Sequence, residues 1–171
     1  TSVDESKVGA STVLRVFTKD VATAAGITGA GAGNTVDTLT DADVSGIQLS
    51  APDDATMVTP MTTLVAEAGL DATAVASALG LAGFDILNDD PSTSLAAEKA
   101  AHQVMNAITA LSAAGEGAGR TADASFTAAV NAIADVVTTA SGASQTVDLT
   151  GSGTYGLDAV MTNFKTELGG D

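Results

Sequence analysis

Cysteine is absent from this chain of 171 residues. Without a thiol, the protein can form no disulfide, no thiolate metal site and no cysteine nucleophile. Any covalent chemistry would therefore depend on other side chains, and any cross-link between segments would have to come from packing or from a bound ion.

Aromatic residues are scarce, at 3% of the chain, with no tryptophan and one tyrosine. Hydrophobic residues nevertheless make up 45% of the sequence, and most of them are alanine, valine and leucine. Small side chains let helices approach closely, but each buries little apolar surface, at roughly 0.8 kcal/mol per CH₂ group. This composition favours a long, thin helical packing over a large globular core.

Basic residues are also few: six lysines and arginines face 21 acids, for a formal net charge of −15. Nucleic acid and anionic membrane surfaces are disfavoured as partners, because binding either one requires clustered positive charge. The acidity has two interpretations. It can keep the protein soluble in a salty medium, where charge repulsion is screened, or its carboxylates can capture hard cations such as calcium.

Long apolar runs are missing too, since no stretch reaches the about 18 residues that a membrane-spanning helix needs. We therefore predict no membrane insertion. The chain starts at Thr1 and shows no signal peptide, so we expect a processed product or an excised fragment, with export through a removed leader or a distant C-terminal signal.

Helical patterns fill most of the chain. Thr59 and Pro60 are typical of a helix start and Gly69 of a helix end, and an apolar stripe that includes Val104 and Ile108 marks the longest helix. The predicted helices cover residues 5–25, 61–68, 72–79, 92–114, 121–141 and 155–168.

Two short strands are predicted, at residues 44–50 and 145–150, and they could pair with each other. The predicted fold class is therefore mainly α, a helical bundle of about six helices with at most one short two-stranded β element. We expect a single helical domain over residues 1–171. An alternative division separates an N-terminal helix and glycine-rich loop (1–40) from a helical core (41–171).

Few residues could carry catalysis. His102 is the only histidine; it lies four residues after Glu98 in a predicted helix, where an ion pair of small effect is the ordinary role. Zinc would need three or four nitrogen or sulfur ligands, which one histidine cannot supply. His102 with Met105 leaves a haem-binding or small-ligand carrier as the alternative function. We predict no catalytic residues and no enzyme.

Acidic side chains cluster in predicted loops. The largest cluster is formed by Asp85, Asn88, Asp89 and Asp90. Calcium prefers six to eight oxygen ligands of this kind, so these four residues are the candidate metal site. The competing interpretation is that Asp90 caps a helix and that the others form a turn.

Three segments carry a resemblance: Val-Thr-Pro-Met-Thr-Thr-Leu-Val at residues 58–65, Val-Ala-Ser-Ala-Leu-Gly-Leu at 75–81, and Phe-Asp-Ile-Leu-Asn-Asp-Asp-Pro at 84–91. Together they resemble a helical module of very large secreted bacterial surface adhesins and RTX-like calcium-binding exoproteins. The resemblance covers about residues 44–140, and Met61 stands where leucine is typical.

The resemblance implies an extracellular or cell-surface location and type I secretion, and it brings no catalytic residues. The expected function is a structural or adhesive module of a secreted bacterial surface or matrix protein, for instance a surface-layer or filament subunit. Its expected partners are copies of itself or other surface or matrix proteins.

Overall fold

Helices account for 61% of the residues that the computed structural model describes, which are 14–16 and 48–169. This confirms the mainly α class. The helices, in chain order, are α1 (Pro60–Ala68), α2 (Ala72–Ala78), a 3-10 helix (Pro91–Thr93), α3 (Leu95–Gly117), α4 (Ala122–Gly142) and α5 (Leu157–Glu167), and two strands, β1 (Leu14–Val16) and β2 (Leu49–Ala51), form an antiparallel pair.

Short polar side chains start four of the five α-helices by accepting a hydrogen bond from a backbone N–H of the first turn, which otherwise has no partner. These caps are Thr59 for α1, Asp71 for α2, Ser94 for α3 and Thr121 for α4. Helix α1 ends at Gly69, whose φ of 64° lies in the left-handed region that glycine adopts without strain. The sequence had indicated the cap at Thr59 and the stop at Gly69.

Helix α4 lies at the centre of the fold. Eleven of its 21 residues are buried, and they include Phe126, Val130, Ile133 and Val137. It packs against α1, α2, α3 and α5. Because these side chains cover most of its circumference, α4 is the element around which the hydrophobic core of the described residues is assembled.

The longest helices still carry polar faces. Helix α3 spans 23 residues and exposes Lys99, His102 and Asn106. No helix within the described part of the chain is long and apolar enough to cross a membrane.

The predicted helix over residues 5–25 is wrong at its middle, since Leu14–Val16 form strand β1. The remainder of that prediction lies outside the described residues. The apolar run there is short and its helical periodicity is imperfect. Such a run can form a helix or a strand, and the segment that it packs against determines which. Here the partner is β2, with Leu14 opposite Ala51 and Val16 opposite Leu49.

The second predicted strand, at residues 145–150, is also wrong. Residues 145–147 have no regular structure, Asp148 forms one isolated bridge with Gly156, and residues 149–150 lie in a turn. The backbone of this segment is used elsewhere: the N–H of Val147 donates to the carbonyl of Ala78 at 2.7 Å. Of the strand expected at residues 44–50, residues 48–50 are described, and β2 runs over Leu49–Ala51, one residue beyond the expected end.

The start of the longest helix differs from the prediction at residue 92. Asp90 caps the 3-10 helix Pro91–Thr93 instead, and Ser94 then caps α3. A proline at the first position suits either kind of helix, so the sequence pattern alone does not separate the two starts. At the other end, α3 continues through Gly117, three residues beyond the predicted end at residue 114.

Candidate functional site

The acidic cluster is one ordered loop held by its own hydrogen bonds. The carboxylate of Asp85 accepts from the backbone N–H of Leu87 at 3.0 Å and from the side-chain amide of Asn88 at 2.9 Å. Asp89 reaches back and accepts from the N–H of Asp85 at 2.9 Å. Thr56 donates its hydroxyl to the amide oxygen of Asn88 at 3.2 Å, which connects the loop to the segment before α1.

Asp90 acts as a cap. Its carboxylate accepts from the N–H of Ser92 at 2.9 Å, and its carbonyl accepts from the hydroxyl of Thr93 at 2.7 Å. This is the capping role that the sequence had offered as the competitor to metal binding.

Hydrogen bonds lower the pKa of two of these carboxyl groups. For Asp85 the largest cause is the side-chain amide of Asn88, followed by the N–H of Leu87. For Asp90 the largest cause is the N–H of Ser92. Donors that point at a carboxylate favour its charged form, so both groups carry full negative charge at neutral pH.

The four predicted ligands, Asp85, Asn88, Asp89 and Asp90, thus lie in one exposed loop. No group of three or more acidic or histidine side chains within residues 48–169 is arranged to hold a metal ion. Calcium binding at the four residues stays a prediction, because an amide and backbone carbonyls can also be ligands.

Other neighbouring acidic residues were also considered as possible metal ligands. Asp53 and Asp54 are exposed in a turn closed by a bond from the N–H of Ala55 to the carbonyl of Pro52 at 3.2 Å. Two further aspartates of the sequence, Asp41 and Asp43, lie outside the described residues.

His102 is exposed on α3, and Met105 is half-buried rather than part of the core. Haem binding by this pair stays a prediction.

The sequence predicted that Thr59 caps a helix, but it did not reveal the buried cluster of hydroxyl groups to which Thr59 belongs. Thr59 and Thr62 form a reciprocal capping box: the N–H of Thr62 donates to the Thr59 hydroxyl at 3.1 Å, and the N–H of Thr59 donates to the Thr62 hydroxyl at 2.8 Å. Both side chains are buried. The signal in the sequence was threonine at the third helical position, where glutamate or glutamine is more usual.

The same hydroxyls hold strand β2. The N–H of Ser50 donates to the Thr63 hydroxyl at 3.0 Å. The carbonyl of Ser50 lies 3.0 Å from the hydroxyl of Thr62 and 3.2 Å from that of Thr63. We call Ser50, Thr59, Thr62 and Thr63 the threonine clamp. It satisfies the backbone of a fully buried strand residue with side chains of α1.

An open groove of about 490 Å³ lies beside the acidic loop, between α2 and residues 82–87. Its apolar surface includes Ala76, Phe84 and Ile86, and its acidic side chains are Asp71 and Asp85. The sequence showed each segment but not the groove, because the turn at Leu81 decides how the two segments face each other.

Comparison with known proteins adds no family to this picture. No protein-family model matches the chain, and searches of curated proteins and of solved structures also find no match.

Proposed function

We propose that this chain is a non-catalytic structural or adhesive module of a secreted bacterial cell-surface or matrix protein, stabilised by calcium or by self-assembly. The observation that carries the proposal is the threonine clamp. Buried hydroxyls are costly unless bonded. Here the Thr63 hydroxyl accepts from the N–H of Ser50, and the hydroxyls of Thr62 and Thr63 both lie within hydrogen-bond distance of the carbonyls of Ser50 and Thr59. These polar side chains connect helix α1 to strand β2, which supports a structural role.

The threonine clamp overlaps one of the segments that resemble the secreted adhesins. The run Thr59-Pro60-Met61-Thr62-Thr63, which resembles the secreted adhesins, contains three of the four clamp residues. Thr59 caps the helix, Pro60 suits the first helical position, and Met61 is a buried apolar side chain. The two threonines that follow bring their hydroxyls to the strand. The same device would suit any module in which a strand leads into a helical bundle.

The charge supports an extracellular, salt-tolerant surface. A net charge of −15 opposes self-association in dilute buffer, and screening by salt or divalent cations removes that barrier. The partners proposed on this basis are further copies of the chain or other surface and matrix proteins.

Calcium dependence is tested by thermal unfolding with calcium, with magnesium and with a chelator. We expect calcium to raise the melting temperature by several degrees, since a ligand that binds only the folded state stabilises it. Asp85→Asn combined with Asp89→Asn should abolish the increase, whereas the matched pair Asp53→Asn with Asp54→Asn should retain it. Equal melting temperatures with calcium and chelator would remove calcium from the proposal.

Location and assembly are tested separately. Antibodies against the chain should label intact producer cells or their matrix, and brief protease treatment of intact cells should remove the label. Sedimentation velocity at low and high salt should show association that increases with salt. A signal confined to the lysed-cell interior would refute the surface role.

A further inference from the structure

The groove between α2 and residues 82–87 combines an apolar surface with acidic side chains. Ile86 is buried and Phe84 is half-buried, so the aromatic ring keeps part of its surface accessible. Asp71 and Asp85 are both exposed and both line the groove. Apolar area beside two carboxylates complements a side chain that has an aliphatic stem and a positive end.

Backbone hydrogen bonds preform the groove. The N–H of Leu81 donates to the carbonyl of Ala76 at 2.8 Å, and the N–H of Phe84 donates to that of Leu81 at 3.0 Å. On the other side, the carbonyl of Leu87 accepts from the N–H of Thr56 at 2.9 Å and from that of Met57 at 3.1 Å. A wall fixed in this way loses little conformational freedom when a ligand binds.

The two carboxylates retain capacity for further donors. Asp71 accepts from the N–H of Ala74 at 2.9 Å as the cap of α2. Asp85 accepts the two loop bonds described above. An ionised carboxylate has about four acceptor sites, so each group can accept a hydrogen bond from an ammonium or guanidinium group while it keeps its structural bonds.

We propose that this groove binds a lysine- or arginine-bearing segment of a partner protein. The cation lies between Asp71 and Asp85, and its aliphatic stem packs on the half-buried side chain of Phe84, where a cation–π contact adds to the attraction. The whole-molecule charge of −15 attracts basic segments and accelerates their encounter. This inference rests on the proposed adhesive function and names the chemistry of its partner.

The probe is a fluorescein-labelled peptide of nine residues with two arginines among leucines and alanines, measured by fluorescence anisotropy. A peptide with glutamates in place of the arginines is the charge control. We expect the arginine peptide to bind, the glutamate peptide not to bind, and the Kd to rise with salt because the attraction is electrostatic.

Variants locate the binding. Asp71→Asn with Asp85→Asn removes both groove charges; asparagine caps a helix as well as aspartate does, and circular dichroism checks the fold. The matched pair is Asp123→Asn with Asp158→Asn, which removes two exposed acids from the first turns of α4 and α5. We expect the groove substitutions to weaken binding about tenfold, because they remove a direct contact with the cation. The matched substitutions remove only net charge, and we expect them to weaken binding by less than about twofold.

Phe84→Leu separates the aromatic contact from the charge and should weaken binding about threefold, with the salt dependence unchanged. No binding of the arginine peptide, or an equal loss for the two charge pairs, would overturn the inference. Surface labelling of producer cells tests the proposed function separately, so the proposed function and the groove inference can fail independently of each other.

Discussion

Ser50 shows at the scale of the residue how a buried strand can end beside a helix. Neighbouring residues of a strand direct their backbone groups to opposite sides. Leu49 and Ala51 belong to the pairing with β1, while Ser50 directs its N–H and carbonyl to the hydroxyls of α1. The helix thus takes the place that a third strand would have, and this edge of β2 is closed to further pairing.

Replacing Thr63 with valine tests the clamp. Thr63→Val keeps the shape but leaves the buried N–H of Ser50 without its acceptor, and we expect a loss of about 1–3 kcal/mol in the free energy of unfolding. Urea denaturation measures this loss. The control is Thr139→Val, because Thr139 is exposed and its hydroxyl bonds only a carbonyl of its own helix at 2.8 Å; that change should stay within about 0.5 kcal/mol. Equal losses would contradict the clamp.

At the scale of the element, helices α3 and α4 are in close contact at Gly115. A Cβ atom added there would lie 2.6 Å from the hydroxyl oxygen and 2.8 Å from the Cβ of Ser125. The side chain of Ser125 is itself fixed, since its hydroxyl donates to the carbonyl of Thr121 at 2.9 Å. The composition, rich in small residues, had indicated this kind of close helix packing.

Gly115→Ala should therefore destabilise the protein, although alanine is the better helix former. We expect a loss of about 1–3 kcal/mol from overpacking. Gly117→Ala is the matched control in the same helix, because its Cβ would meet nothing within 4 Å, and it should be neutral or stabilise by up to about 1 kcal/mol. Thermal unfolding of the two variants decides; stabilisation by both would show that α3 and α4 are not in tight contact.

At the scale of the whole molecule, acid pH changes two opposing contributions. Protonation of carboxylates reduces the repulsion among the acids, and it also breaks the hydrogen bonds that lower the pKa of Asp85, Asp90 and Asp148. For Asp148 the largest cause of the lowered pKa is the hydroxyl of Thr150, followed by its N–H. A comparison of variant with parent isolates the second contribution.

Asp148→Asn should lower the melting temperature at neutral pH, and the difference from the parent should shrink in acid. A carboxyl group with a lowered folded pKa stabilises above its unfolded value of about 3.9 and loses that contribution as pH falls through the folded pKa. Melting curves from pH 7 to pH 2 measure the difference. Asp135→Asn, at an exposed helical position, serves as the control; a gap for Asp148→Asn that stays constant down to pH 2 would contradict the linkage.

Local signals in the sequence were enough to determine most of the helices. Thr59 with Pro60, Asp71 and Thr121 each stand where a helix starts, because a cap bonds to N–H groups only two or three residues away. The start of α3 was predicted at residue 92, with Asp90 or Ser92 as its cap, whereas Asp90 caps the 3-10 helix and Ser94 caps α3.

Only the tertiary structure decided the strands, the clamp and the groove. Leu14–Val16 became a strand because β2 lies beside it, and Ser50 and Thr63 came together across 13 residues of chain. The groove arises because the turn after α2 sets Phe84 and Asp85 against Asp71. Contacts of this kind depend on partners far along the chain or on the angle between segments, and no periodicity or cap in a single segment carries that information.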